Sequence, residues 1–427
     1  MDIDSSGAVK LIDLDDYINP SQNCVKNIAV MEKSVNKRRN VIKKPVKIQL
    51  SDCLSCSGCI TSSESVLIGK QLWKLVDNHM SSELLHSKCT VCVAEQSISS
   101  IADAANISPV DVITIIDNFF NTRFPTCSPI LVYPLNPIRL IVQTALAKQF
   151  TNMYDTSVQK LPLITSACPG WICYAEKTHD GILLPYISTI CSPQQAFANL
   201  HNPKDSSLHC YSVSIMPCYD KKLECSRPQF KHMSNEQQQL DASLTTTELI
   251  EMMRSYSDKS SLLDEFLQKL DNNTVSKEFE STNNQFNGSG GYLNFTLDYF
   301  ARNVLKLKEF NVTRTNLRGK NLVEVTIDGY EDVKFLYAYG FRSIYHVVRQ
   351  IKSKKCKYHF IEIMACPGGC LNGNGQLSSK SNGLDAKYIE ALSTIDHNVY
   401  DSSDYDSAIM NNIHTTYTTV TDDSVSW

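Results

Sequence analysis

Cysteine is the residue type with the most chemistry in this chain. Sixteen are present among 427 residues, and eight of them fall into two sets with the character of iron–sulfur ligands. The first set is the CxxCxxC run Cys53-Leu54-Ser55-Cys56-Ser57-Gly58-Cys59. Three thiolates so spaced can each take one corner of a cubane cluster. Ser57 and Gly58 keep the loop small and let backbone amides approach the sulfides. No cysteine follows in ITSSESVLI (60–68), so a fourth ligand must come from elsewhere. Cys24, Cys89 and Cys92 are the local choices. Cys89 and Cys92 lie in KCTVCV, where strand alternation turns them to opposite faces. Cys24 follows the turn-like Pro20-Ser21-Gln22-Asn23 and is preferred. Zinc is the competing occupant, although structural zinc usually joins two separate CxxC or Cys/His hooks.

The second set is Cys168 in TSACPGW, Cys218 in MPCYDKK, and Cys366 with Cys370 in MACPGGCLNGNGQ. Each stands just after an apolar, strand-like run and at a sharp turn framed by Pro or Gly. Proline at this point suits the first turn of a helix. Helix N-termini and loop amides aimed at the spot would offset the charge of a thiolate-bound cluster. Strand C-terminal ends are also where open α/β sheets build their sites. A single such cysteine would be read as a buried structural thiol.

The elements that must hold these residues are legible as alternating strands and helices. KCTVCV (88–93), PILVYP (129–134), LPLITS (161–166), YSVSIMP (211–217), LVEVTIDG, VKFLYAYG and YHFIEIMA read as strands, the last running straight into Cys366. SISSIADAANI, SPVDVITIIDNFF, PIRLIVQTALAKQF, TTTELIEMMRSYSD and RSIYHVVRQIKS read as helices. This alternation predicts an α/β fold with mostly parallel sheets. Residues 1–75 are expected to form a small N-terminal iron–sulfur segment, 80–400 the core with a polar insertion at about 226–287, and 401–427 a flexible acidic tail.

Charge is nearly balanced, at −4, so no nucleic-acid surface is suggested. The cluster Lys37-Arg38-Arg39 with Lys43-Lys44 reads as a solvated stretch. No apolar run approaches the ~18 residues of a membrane span, and MDIDSSGAVK lacks the apolar centre of a secretory signal. Many cysteines without such a signal point to a reducing compartment and to metal ligation rather than disulfides. A cytosolic protein is expected, with access to the nucleus.

TSACPGW, MPCYDKKLE and MACPGGCLNGNGQ resemble the three signature motifs of iron-only hydrogenases, and GSGGYLNFTLDYFARNV (288–304) resembles the loop and helix lining the same site. LIDLDDYINPSQNC together with LSDCLSCSGCITSSESVLI resembles the eukaryotic hydrogenase-like factors of cytosolic iron–sulfur protein assembly, relatives of the nuclear prelamin A recognition factor. The resemblance spans almost the whole chain. It implies a two-lobed hydrogenase-like core and two [4Fe–4S] clusters, one on Cys24, Cys53, Cys56 and Cys59, the other on Cys168, Cys218, Cys366 and Cys370. It also implies a non-enzymatic role between the early cluster scaffold and the late targeting complex with its WD40-propeller subunit. A nuclear prelamin-binding protein and a redox enzyme are the alternatives. Hydrogenases carry a proton-relay cysteine where this chain has Ala167, and a methyl group moves no proton. Lys221 and Glu224 match positions near the di-iron unit and its proton path, with Lys221 read as a balance for cluster charge. The ending Val425-Ser426-Trp427 resembles a C-terminal docking signal for the targeting complex, with the indole and carboxylate as a compact anchor.

Overall fold

The computed structural model describes residues 72–82, 89–127, 129–156, 162–202, 210–231, 237–256, 262–272, 288–317, 321–377, 387 and 413–417. All belong to one compact unit, Val66–Trp427. Cys24, Cys53, Cys56, Cys59 and the closing Val425-Ser426-Trp427 lie outside the described residues.

Two sheets carry the architecture. The first has the order β2-β1-β4-β5, from Leu131–Pro134 (β2), Cys89–Val93 (β1), Tyr211–Met216 (β4) and Ala242–Thr245 (β5), and every pairing is parallel. Its strands β1, β4 and β5 are buried throughout, as a sheet covered on both faces requires, while the edge strand β2 is partly exposed. Helices Glu95–Ala105 (α2), Pro109–Arg123 (α3) and Thr246–Ser255 (α8) bury one face in a common core with Trp73–Met80 (α1) and Leu262–Asn272 (α9). Cys89 belongs to this core, while Cys92 belongs to the core on the other face, so the two thiols are separated by the sheet itself.

The second sheet has the order β3-β9-β8-β7-β6, from Leu163–Thr165 (β3), Phe360–Met364 (β9), Tyr330–Tyr339 (β8), Leu322–Ile327 (β7) and Val312–Asn316 (β6). Its β3-β9-β8 half is parallel and its β8-β7-β6 half antiparallel. Mostly parallel pairing therefore holds, with a meander at one edge joined by the tight turn at Gly329, whose φ is +82°. Asn136–Thr156 (α4), Pro169–Thr178 (α5), Pro193–His201 (α6), Tyr292–Asn303 (α10) and Phe341–Lys352 (α11) are the remaining long helices, and Asp220–Cys225 (α7) is a short one.

Three details add to the sequence reading. The expected boundary at 75 falls inside α1, whose Val76 and Met80 are buried with the first sheet. Within the polar stretch at 226–287 the expected helix forms as α8, capped by Thr245 through a reciprocal capping box with Glu248, and β5 and α9 are present besides it. Within the expected tail, Ile413 is fully buried and His414 forms an isolated antiparallel bridge with Ile190. Among the described residues no helix is long and apolar enough to cross a membrane.

Candidate metal centre

Three strand ends converge. Strand β3 ends at Thr165 and leads through Ser166 and Ala167 to Cys168, which is the N-cap residue of α5 with Pro169 in the first turn. The Ser166 hydroxyl ties the two parallel strands together. It donates to the Ile363 carbonyl of β9 at 2.6 Å and accepts from the Cys168 amide at 3.1 Å. Strand β4 ends at Met216 and leads through Pro217 to Cys218, just before α7. Strand β9 ends at Met364 and leads through Ala365 to Cys366 and then Cys370.

The loop between the last two cysteines depends on glycine. Gly368 and Gly369 have φ of +73° and +89°, where a Cβ is strained. A Cβ on Gly369 would also collide with the Ser289 hydroxyl, and one on Gly373 with the Pro217 carbonyl. Those close approaches hold the loop against its neighbours. The Cys370 amide donates to Ser289 Oγ at 2.8 Å, the Gly375 amide to the Pro217 carbonyl at 2.9 Å, and the Tyr219 amide to Asn374 Oδ1 at 3.1 Å. The glycine-rich loop 288–291 is itself anchored. Gln96 donates to the Gly288 carbonyl at 3.2 Å, Arg139 to that of Gly290 at 3.1 Å, and Gln143 to the same oxygen.

The four thiols share one electrostatic neighbourhood. Burial raises the pKa of Cys218, and Asp220, Cys366, Cys168 and Cys370 raise it further. Burial, Asp220 and Cys370 push Cys168 up to about 12. Burial also raises Cys370. Asp220 stands close: a Cβ on Gly170 would lie 2.6 Å from its Oδ2 and 3.9 Å from Cys168 Sγ. Lys221 supplies the opposing charge, with its Nζ 2.6 Å from Glu224 Oε2. Burial disfavours that ammonium, but Glu224, Cys218 and Cys370 outweigh it and raise its pKa.

These residues fit an iron–sulfur group. The sulfurs come from separate strand ends, are buried or half-buried, and face a buried cation. Among the described residues no three His, Cys, Asp or Glu side chains close on a point that would hold one ion. Cys168, Cys218, Cys366 and Cys370 would be the ligands of the iron–sulfur group.

Sequence reasoning missed a second buried group. Glu362 on β9 is fully buried. Its Oε1 accepts from the Tyr339 hydroxyl at 2.8 Å and its Oε2 from the Leu293 amide at 2.8 Å. Helix α10 has Gly291 as N-cap, without a side chain to cap it, so Glu362 supplies the missing acceptor from across the chain. Burial raises its pKa to about 7, and the two donors restrain the rise. A carboxylate in the middle of FIEIM was the available signal.

Comparison with known proteins bears on both the fold and the site. Residues 138–374 match the family model of the iron-only hydrogenase large subunit, C-terminal domain. The chain is 37% identical over 410 residues to the cytosolic Fe-S cluster assembly factor narfl of Xenopus tropicalis, covering 88% of this chain and 86% of that one. It is 37% identical over 418 residues to the cytosolic iron-sulfur assembly component 3 of Mus musculus, covering 88% and 85%. Protein NAR1 of Arabidopsis thaliana is 34% identical over 420 residues, covering 91% and 87%. Among solved structures, an apo variant of [FeFe]-hydrogenase HydA1 from Chlamydomonas reinhardtii superposes with a TM-score of 0.58 at 19% identity, covering 80% of this chain and 98% of that one. A second HydA1 variant gives 0.59, also at 19% identity. At that identity the likeness establishes the hydrogenase fold and nothing further.

Proposed function

Because the chain belongs to the family of cytosolic iron–sulfur cluster assembly factors built on the iron-only hydrogenase domain, we propose that it carries iron–sulfur clusters in that machinery and is not an enzyme. The observation that supports this reading is the position of Cys168, Cys218 and the Cys366–Cys370 pair just beyond the ends of β3, β4 and β9, with the other three thiols in electrostatic reach of Cys218 and Ala167 beside Cys168. A bound [4Fe–4S] cluster would supply one-electron chemistry or a transferable iron–sulfur unit. The chain's own residues hold and screen it. Four thiols from three strand ends fix its place. Lys221 offsets its negative charge, and the loop amides and the start of α5 add favourable dipoles. At Ala167 no proton can be taken up or released, which supports a carrier over a hydrogen-converting enzyme.

In this reading a second [4Fe–4S] cluster sits on Cys24, Cys53, Cys56 and Cys59. The protein links the early scaffold to the late targeting complex, reached through Val425-Ser426-Trp427, and serves both cytosolic and nuclear clients. The test is replacement in cells. A cell depleted of its own assembly factor loses cytosolic and nuclear iron–sulfur enzyme activities while mitochondrial ones persist. Expression of this chain should restore them, and the Cys218→Ser variant should not. Removing Trp427 should weaken capture of the targeting complex roughly thirtyfold, the loss of about 2 kcal/mol typical of a desolvated Trp anchor. Full rescue by Cys218→Ser would overturn the cluster-carrier reading.

A further inference from the structure

Residues Ile413–Tyr417 alternate inward and outward. Ile413 and Thr415 are buried and Tyr417 packs on the core, while His414 and Thr416 face solvent. The segment pairs antiparallel with residues 189–191. The Cys191 amide donates to the Ile413 carbonyl at 2.8 Å, and the Thr415 amide to the Thr189 carbonyl at 2.7 Å. Residues 187–188 in turn hang on β3, through the Ile164–Ile187 bridge and the Ser188 amide donating to the Ile164 carbonyl at 2.7 Å. Ile413–Tyr417 is thus an extended segment bridged, through residues 187–191, to the β3 edge of the sheet.

Its position matters more than its pairing. Thr415 and Tyr417 line a cavity whose other walls include Ser166, Ala167, Cys168 and Cys191. The cavity measures about 20 Å³, room for about one water. Of the four clustered thiols, Cys168 is the one that reaches this wall. Among the described residues its polar fastening is two backbone hydrogen bonds, a 3.0 Å contact between Thr189 Oγ1 and His414 Nδ1, and a 3.5 Å contact from Gln229 to the Thr416 carbonyl, while Ile413 and Tyr417 pack it on the core. Short, marginally paired edges open locally far more often than central strands.

We propose that Ile413–Tyr417 is a displaceable cover over Cys168, and that its release admits a reaction partner to the cluster edge at that residue. The second clause rests on the assembly-factor reading; the cover itself does not. In that reading the docking residues lie within ten positions of Tyr417, so engagement of the tail acts directly on the cover.

The test is alkylation by iodoacetamide of the full-length protein after bound iron has been removed with a chelator under reducing conditions, with modified cysteines located by peptide mapping. Cys92, fully buried inside β1, is the internal control. Truncation after residue 412 and the Tyr417→Ala variant should each raise the labelling rate at Cys168 at least tenfold with Cys92 unchanged. Truncation after residue 417 and Tyr417→Phe, which keep the segment or the ring, should stay within about twofold of the parent. Unchanged labelling of Cys168 in the two opening variants would overturn the proposal. So would equal acceleration at Cys92, which would make the segment a part of the fold rather than a cover. The readout needs no cluster, so loss of the cluster-carrier reading in the cell experiment leaves this result standing.

Discussion

Glu362 shows how much one residue can organise without announcing itself. It caps α10, takes the Tyr339 hydroxyl, and sits fully buried on the strand that ends at Cys366. Its pKa is raised from 4.5 to about 7, so the folded state holds a proton that the unfolded chain has already released. That contribution to stability is complete below about pH 4.5 and is lost as pH rises through 7. At about 1.4 kcal/mol per pH unit it amounts to at most roughly 3 kcal/mol. Glu362→Gln should therefore lose less stability than the parent between pH 5 and pH 8, as read from urea midpoints at the two pH values. An identical change in both proteins would show that Glu362 is not the titrating group. The four clustered cysteines were readable because Pro or Gly flanks each of them locally. Glu362 was not, because its partners Tyr339 and Leu293 lie 23 and 69 positions away.

At the scale of elements, the loop after β9 does the positioning. Gly369 has a positive φ and no space for a Cβ beside Ser289. Gly369→Ala should move the Cys370 amide off Ser289 and lower bound iron per chain, measured on anaerobically purified protein, while secondary structure by circular dichroism stays close to the parent's. Full iron content in that variant would contradict the role given to the loop. The central strands and long helices were legible because their apolar periods are local properties. Strand β5, four residues of ASLT, became a strand only by pairing with β4. Strand β6 is largely exposed and polar and depends on its hairpin with β7. The segment at 413–417 carries strand alternation too, but its partner is some 220 positions away, and its polar setting masked the pattern.

At the scale of the molecule, its relatives at 34–37% identity place this chain in the family of cytosolic iron–sulfur assembly factors. The core has its four thiols at the junction of two sheets, so cluster binding there should be coupled to folding. Cys366→Ser or Cys370→Ser should lower the yield of folded protein and its melting temperature. Cys53→Ser should reduce iron by about half and leave the core folded. Equal loss of folded protein from both kinds of variant would contradict that division. The central claim is that this chain carries two cubane clusters on two sets of cysteines, and iron and acid-labile sulfide analysis of anaerobically purified protein, read with its EPR spectrum, tests it most directly. The account predicts about eight iron and eight sulfide per chain, with reduced [4Fe–4S] signals that lose one component in Cys53→Ser. Stoichiometric zinc with little iron or sulfide would contradict it.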